Sequence, residues 1–397
     1  VSNLVALGEC TDRCLTWNPA ADDPDGEFDY IDLSSVDKDT KRIEGISPIA
    51  CSAAPSRARQ IVKAGDILVS TVRPNLNGVA AVPIELDGAT ASTGYTVLRP
   101  RSDRVDGSYL FHWVKHPKFV GEMVRLATGA SYPAVSDKIV RAAMIPLPSL
   151  PEQRRIAAIL DKAEALRAKR REAIAKLDQL IDSGFREFCG SPYGPPVSID
   201  QPSQPDAGQY VPLVSVARLA TGHTPSRGIA EYWDGDIPWI SLSDIRRLDG
   251  KIALNTEQQA TAKGISNSSA VILPKDTVCF SRTASVGFAT ILGRQMATSQ
   301  DFVNWVCGER INPLYLLAAF RASKQYLVAK STGSTHKTIY FPVAKRFHVY
   351  LPPLSEQAKF GELMRLVWQQ KDVAEQQVSA ADRLFSSLQQ AGFSSQL

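Results

Sequence analysis

Three short polar stretches hold most of the chemistry available to this sequence. Thr221-Gly222-His223-Thr224-Pro225-Ser226-Arg227 is a turn with hydroxyls, a glycine and an arginine. Ser281-Arg282-Thr283-Ala284-Ser285 follows an apolar run, and Ser331-Thr332-Gly333-Ser334-Thr335-His336-Lys337 repeats that composition. Backbone N–H groups, hydroxyls and guanidinium groups at such turns suit phosphate oxygens. Arginine also pairs with guanine, and asparagine with adenine, in a major groove. The candidate contacts are Thr224, Ser226, Arg227, Arg282, Thr283, Thr335, His336 and Lys337. Corresponding places earlier in the chain carry Arg73, Asn75 and Asn77, then Ser131, Tyr132 and Lys138. Glycine and serine also build solvated turns with no function, so each loop alone is ambiguous.

Groups that could catalyse are scarce. The sequence holds no Gly-x4-Gly-Lys-Ser/Thr phosphate loop, no Gly-x-Ser-x-Gly elbow and no His-Glu-x-x-His. A DNA amino-methyltransferase needs an Asn/Asp-Pro-Pro-aromatic loop; Pro195-Pro196 and Pro352-Pro353 stand in other contexts. His112, His116, His223, His336 and His348 are dispersed. Of six cysteines only Cys10 and Cys14 are close, and no second pair completes a zinc set. Reduced thiols in a cytoplasmic protein are expected, with no metal and no catalytic residue. One enzymatic alternative exists. Asp25 followed by Asp39-Thr40-Lys41 fits a loose metal-nuclease pattern, in a stretch of 50 residues with eleven acids and four bases. The pattern is short, and the second half of the chain does not repeat it.

The chain has 397 residues and a formal net charge of +4, which permits a polyanionic partner without demanding one. Its longest apolar stretch, Leu314 to Phe320, falls far short of the ~20 residues that span a bilayer. The N-terminal residues lack the order of a signal peptide.

What organises these residues is a duplication. Tyr30-Ile31-Asp32-Leu33-Ser34 is echoed by Trp239-Ile240-Ser241-Leu242-Ser243, 209 positions on. Lys63 to Ser70 is echoed by Leu273 to Phe280, and Gly78-Val79 by Gly287-Phe288. Leu147-Pro148-Ser149-Leu150-Pro151-Glu152-Gln153 returns as Leu351-Pro352-Pro353-Leu354-Ser355-Glu356-Gln357. Four collinear matches at a period near 200 describe one module written twice.

Each module begins with an α+β head. Ile67-Leu68-Val69, Gly94 to Leu98 and Val278-Cys279-Phe280 read as strands; Tyr109 to Val124 and Pro313 to Val328 read as helices. Each ends in a long helix. Glu152 to Phe188 contains no proline and spans ~55 Å. Its seam is Ile156, Leu160, Ala163, Ile174, Leu177, Ile181 and Phe188, interrupted by Arg167 and Arg170. Ser355 to Gln390 repeats the form with Phe360, Leu363, Val367, Ala374, Ala381, Leu384 and Leu388, interrupted by Gln370 and Gln377. A helix of this length cannot bury its stripe alone. The expected architecture is two heads separated by an antiparallel coiled coil, with approximate two-fold symmetry. The alternative is that each helix packs on its own head. The divisions are 1–150, 151–190 (helix), 191–209 (linker), 210–353 and 354–397 (helix).

Duplicated heads on a rod suit two separated sites on a linear ligand such as DNA. Tyr232-Trp233-Asp234-Gly235-Asp236-Ile237-Pro238-Trp239-Ile240-Ser241, the Thr-Pro-Ser loop before it and the paired Pro-x-x-Glu-Gln helix starts resemble specificity subunits of type I restriction–modification systems. The first head departs from that pattern, with Phe28-Asp29-Tyr30-Ile31-Asp32 in place of the full string and no Thr-Pro-Ser loop. The resemblance implies two target-recognition domains, each reading half of a bipartite double-stranded DNA target, and a coiled coil that fixes the spacer. It implies two methyltransferase subunits as partners, and restriction subunits through them. S-adenosylmethionine, ATP and Mg would reside on those partners and none on this chain. Basic residues on the first long helix, among them Arg154, Arg167 and Lys169, would face partners or solvent. A coiled-coil adaptor that reads no bases is the third reading.

Overall fold

The computed structural model describes residues 3–191, 194–201, 210–333 and 337–394. The chain forms two compact units, Val1–Arg171 with Gln376–Leu397, and Glu172–Glu375. The dividing points lie inside the two long helices, Leu150–Cys189 and Leu354–Phe393, each of 40 residues.

In the first unit Tyr95–Pro100 runs antiparallel to Thr11–Asp12 on one side and Ile67–Ser70 on the other, with Val79–Ala81 beyond. The unbroken apolar run Ile67-Leu68-Val69 is explained by cores on both faces. Ile67 and Val69 pack with Tyr109, Trp113 and Ile156, whereas Leu68 packs with Ile31, Ala80 and Val97. The second sheet contains Thr90–Ser92 parallel to Glu27–Ile31.

The second unit repeats this plan. Phe302–Cys307 lies between Ala217–Thr221 and Thr277–Ser281, with Ala289–Leu292 beyond. Val278 and Phe280 face one core and Cys279 the other. Ala297–Thr298 runs parallel to Trp233–Ile240. The two units therefore share strand order and direction as well as sequence echoes.

The helices after the central strand differ from expectation by a break in each. Gly107–Lys115 ends at His116, whose extended backbone precedes Pro117, and Pro117–Leu126 starts afresh. A residue before proline is pushed out of the helical region. Pro313–Ala322 is likewise separated from Lys324–Lys330 at Ser323, whose hydroxyl accepts the Val197 N–H at 2.7 Å.

The duplicated Glu-Gln helix start has a physical reason. Gln153 Oε1 accepts the Asp106 N–H at 2.9 Å, and its Nε2 donates to the carbonyls of Arg104 and Pro148. Gln357 does the same with the Asn312 N–H at 2.8 Å and the carbonyls of Arg310 and Pro352. Both side chains are buried. Tyr109 and Tyr315 add a second clamp, donating to the carbonyls of Pro146 and Tyr350.

Within each unit the start of one long helix packs against the end of the other. In the first, Ile156 and Leu160 share a core with Phe385 and Phe393, whose ring lies 5.0 Å from those of Tyr109 and Trp113. In the second, Ile181 and Phe185 share a core with Phe360, Met364 and Val367, and with Tyr315 of the head. Both pairings are antiparallel, and each pair is also built into a head. The two expected arrangements thus coexist. Gly184 leaves room for Leu363 at this contact: a Cβ there would come within 2.3 Å of Leu363 Cδ2, and the leucine side chain would have to shift.

Arg167 and Arg170 lie on the seam. Arg167 Nε donates to Asp382 at 2.6 Å with its guanidinium 4.4 Å from the Phe385 ring centroid, and Arg170 donates to the Gln377 carbonyl at 3.0 Å. In the second unit Lys371 pairs with Asp178 at 2.7 Å. The first helix keeps the expected face, with Ile174 and Leu177 half-buried. The second keeps most of its expected face, with Phe360 and Val367 buried and Leu363, Ala374, Ala381 and Leu388 half-buried, and departs from it at three positions. Leu384 is 58% exposed and Phe385 takes its place, while Lys371 and Val378 occupy the inward positions assigned to Gln370 and Gln377, both exposed. From Phe360 the spacing 360, 364, 367, 371, 374, 378, 381, 385 alternates by four and three, so the true seam carries a lysine that an apolar count skips.

Candidate nucleic-acid interface

In the second unit the polar loops meet at one edge. The turn 221–227 is seated on the end of Ala297–Thr298: the His223 N–H donates to the Thr298 carbonyl at 2.9 Å. A Cβ on Gly222 would lie 2.1 Å from the Ser299 carbonyl oxygen, so only glycine allows this approach. The Trp239 indole N–H donates to the His223 carbonyl at 3.0 Å and that of Trp233 to the Ser226 carbonyl at 3.2 Å. The aromatic string therefore bolts the loop down. A register shift between Trp233 and Ile237, with Asp234 at φ 61°, brings the two indoles to 5.1 Å, edge to face. Arg227 is exposed, with its guanidinium 5.2 Å from one ring centroid and 5.3 Å from the other. Its Nη1 donates to Gln258 Oε1 at 3.3 Å.

The other two loops join through backbone hydrogen bonds. The Ala284 N–H donates to the Lys337 carbonyl at 3.1 Å, and the Ile339 N–H to the Arg282 carbonyl at 2.8 Å. Thr283 bridges Thr338, and Lys337 is exposed. Thr335 and His336 lie outside the described residues. The link between the two sides is Gln300. Its Oε1 accepts from Thr224 Oγ1, and its carbonyl accepts from Arg282 Nε at 3.1 Å.

The first unit builds the same scaffold with other side chains. The Arg73 N–H donates to the Pro133 carbonyl at 2.7 Å and the Val135 N–H to the Thr71 carbonyl at 2.9 Å. Arg73 and Ala284 both adopt left-handed backbone, φ 49° and 58°. Arg73 thus occupies the place of Ala284, and Thr71 that of Arg282. The Arg73 guanidinium stacks 4.6 Å from the ring centroid of Tyr132, which is 68% exposed. Asn75, Ser131 and Lys138 are exposed. Asn77 turns inward: its Nδ2 donates to the Lys115 carbonyl at 3.4 Å and its own carbonyl accepts from Lys41 Nζ at 2.6 Å.

The acidic stretch is organised as a turn. Asp37 Oδ1 accepts from the Asp39 N–H and from both donors of Thr40, which lowers its pKa, the Thr40 N–H chiefly. Lys41, held on Asn77, has its pKa lowered mainly by burial and next by Lys115. Among the described residues no three His, Cys, Asp or Glu side chains converge as a metal site. Burial pushes the Cys10 thiol up to about 11 and those of Cys189 and Cys307 up to about 12, so these are poor nucleophiles.

A duplicated head with one loop edge in each copy is the feature to compare with known proteins. The profile of the family described as Type I restriction modification DNA specificity domain matches residues 21–176 and 205–377, most of the chain and one match per unit. The chain belongs to this family. Relatives of this specificity chain include the Type I restriction enzyme MjaIX specificity subunit of Methanocaldococcus jannaschii. That protein is 30% identical over 154 residues, covering 38% of this chain and only 36% of the relative. The HindI specificity subunit of Haemophilus influenzae is 20% identical over 346 residues, 71% of this chain and 75% of the relative. In fold, the specificity chain is similar to a chain solved in work on assembly and conformational transition of the type I R-M system. The TM-score is 0.63 at 23% identity, over 100% of this chain and 98% of that one. The type I S subunit from M. genitalium gives a TM-score of 0.55 at 12% identity, over 98% and 96%.

Sequence reasoning about the specificity chain missed Gln300. Its signal is the polar turn Thr298-Ser299-Gln300-Asp301 between two apolar strands. The same reasoning found no Thr-Pro-Ser loop in the first head. Strand pairing sets Thr11 opposite Pro100 as Ala217 is set opposite Cys307, and counting on from there aligns Asn18-Pro19 with Thr224-Pro225.

Proposed function

We propose that this chain reads a bipartite double-stranded DNA target, one half-site per unit, with the paired long helices setting the unread spacer. It does so for a methyltransferase and, through that, for restriction subunits. The observation that carries this reading is the loop edge built twice, on one scaffold and with different side chains, in a member of a DNA specificity family. Identical scaffolds dock alike on DNA, whereas different side chains read different bases. The specificity chain itself does no chemistry; S-adenosylmethionine, ATP and Mg belong to the partners. Among the described residues no helix is long and apolar enough to cross a membrane, and the site of action is the cytoplasm, where the DNA is.

Methylation-site sequencing of DNA from cells carrying this chain with its cognate methyltransferase tests the reading. A motif of two short blocks around an unread gap is expected. A single continuous motif, or methylation unaffected by deleting the chain, overturns it.

Lys337→Ala and Arg227→Ala are each expected to weaken DNA binding by the assembled complex. If Lys337 touches phosphate, its removal lowers affinity alike on all sequences and reduces the salt slope by about one. Titrations at several salt concentrations that show no change for either variant would misplace the DNA face of the second unit.

A further inference from the structure

We propose that Gln300 reads a base in the half-site of the second unit, with Arg282 held beside it for the same groove edge. The proposal rests on the DNA-reading function above and names residues for it. Gln300 is exposed and sits where the two sides of the loop edge meet. Its backbone leaves little choice of position. The Ser299 N–H donates to the Ile240 carbonyl at 3.0 Å, the Arg282 N–H to the Asp301 carbonyl at 2.9 Å, and Ser299 Oγ to Asp301 Oδ2 at 2.9 Å. The turn is thus tied to the ends of two strands and braced by a bond of its own, and Gln300 is its outward residue.

The hydrogen bonds leave the right groups over. Thr224 uses the Gln300 Oε1, so the amide Nε2 of this exposed side chain keeps its two donors. Arg282 is anchored through Nε to the Gln300 carbonyl, which leaves the two terminal nitrogens of the guanidinium as a fork. A glutamine amide suits the N6 and N7 edge of adenine, and an arginine fork suits O6 and N7 of guanine. Because Thr224 Oγ1 can rotate, Oε1 is released to accept from adenine N6 without moving the backbone. Lys337 and Arg227 lie on flanking loops and supply positive charge for the backbone phosphates. In the first unit Thr93 is the corresponding residue by strand pairing, a hydroxyl where this unit has an amide. That difference is what unlike half-sites require.

The experiment uses the full chain assembled with its cognate methyltransferase, and compares wild type with Gln300→Ala and Gln300→Glu. Methylated motifs are sequenced genome-wide, and affinity is measured on cognate and unrelated duplexes. Gln300→Ala is expected to relax one base position in one half-site and to lower cognate affinity about tenfold or more, with unrelated DNA bound as before. Gln300→Glu, which can accept but not donate, is expected to shift that position toward cytosine. The other half-site and the spacer stay as they were. An unchanged motif and affinity in both variants overturns the proposal. So does an equal loss on all sequences, which would mark a phosphate contact or a loosened edge. A wild-type motif without two blocks would instead overturn the function on which it rests.

Discussion

Inserting four residues after Arg170 is expected to lengthen the preferred unread spacer by one or two base pairs and leave both half-site sequences unchanged. Four residues add ~6 Å to a helix and turn everything beyond by ~400°, one full turn and ~40° more. The hydrophobic seam therefore nearly keeps its face. The insertion point is also tolerant, because Arg167 and Arg170 fill the seam there with long polar side chains in place of apolar knobs. DNA rises ~3.4 Å per base pair along one strand, so ~6 Å corresponds to one to two pairs. Genome-wide methylation motifs of the inserted variant report both spacer and half-sites. Altered bases with the old spacer would show that the helices are not the ruler.

The second large effect is expected from Gln357→Leu. This side chain is fully buried and serves three backbone groups: the Asn312 N–H and the carbonyls of Arg310 and Pro352. Leucine preserves much of the volume and makes none of the bonds. A buried polar group left unpaired costs ~1–3 kcal/mol, and water can reach some of the three, so the loss is about 3 kcal/mol of stability for the second unit. Gln357→Glu is milder only where its carboxylate still accepts the Asn312 N–H. Urea unfolding followed by tryptophan fluorescence measures this, since Trp239 and Trp305 are buried in the same unit. A midpoint within error of wild type would mean that the helix start is held by packing alone. Gln153→Leu should repeat the result in the first unit, where Trp113 is the reporter.

The duplication is legible from sequence because it is written in local terms. Strand runs, helix starts and the long proline-free segments keep their composition in both copies. The Val278-Cys279-Phe280 run announces a strand with two buried faces, and Glu-Gln after Leu-Pro announces a helix start. What those glutamines do is not local: Gln357 reaches 45 residues back to Asn312, and no spacing rule describes that. The interrupting positions of the second long helix were misplaced for a related reason. Lys371 occupies an inward position because Asp178, 193 residues away, meets it there. An apolar count cannot anticipate a seam position filled by half of an ion pair.

The site divides in the same way. Loop composition by itself identified Thr224, Arg227, Arg282 and Lys337 as a set of donors, because glycine, hydroxyls and basic groups mark turns that face anions. The sequence also contained the duplication, the α+β heads and the paired long helices, all of which follow from periodicity and turn chemistry. Only the tertiary structure decided which donors share an edge. It set Arg73 in the place of Ala284, turned Asn77 inward onto Lys115, and brought Gln300 onto Thr224, 76 residues away. The physical reason is that hydrogen bonds between loops depend on strand register, and register is set by pairings distant in sequence.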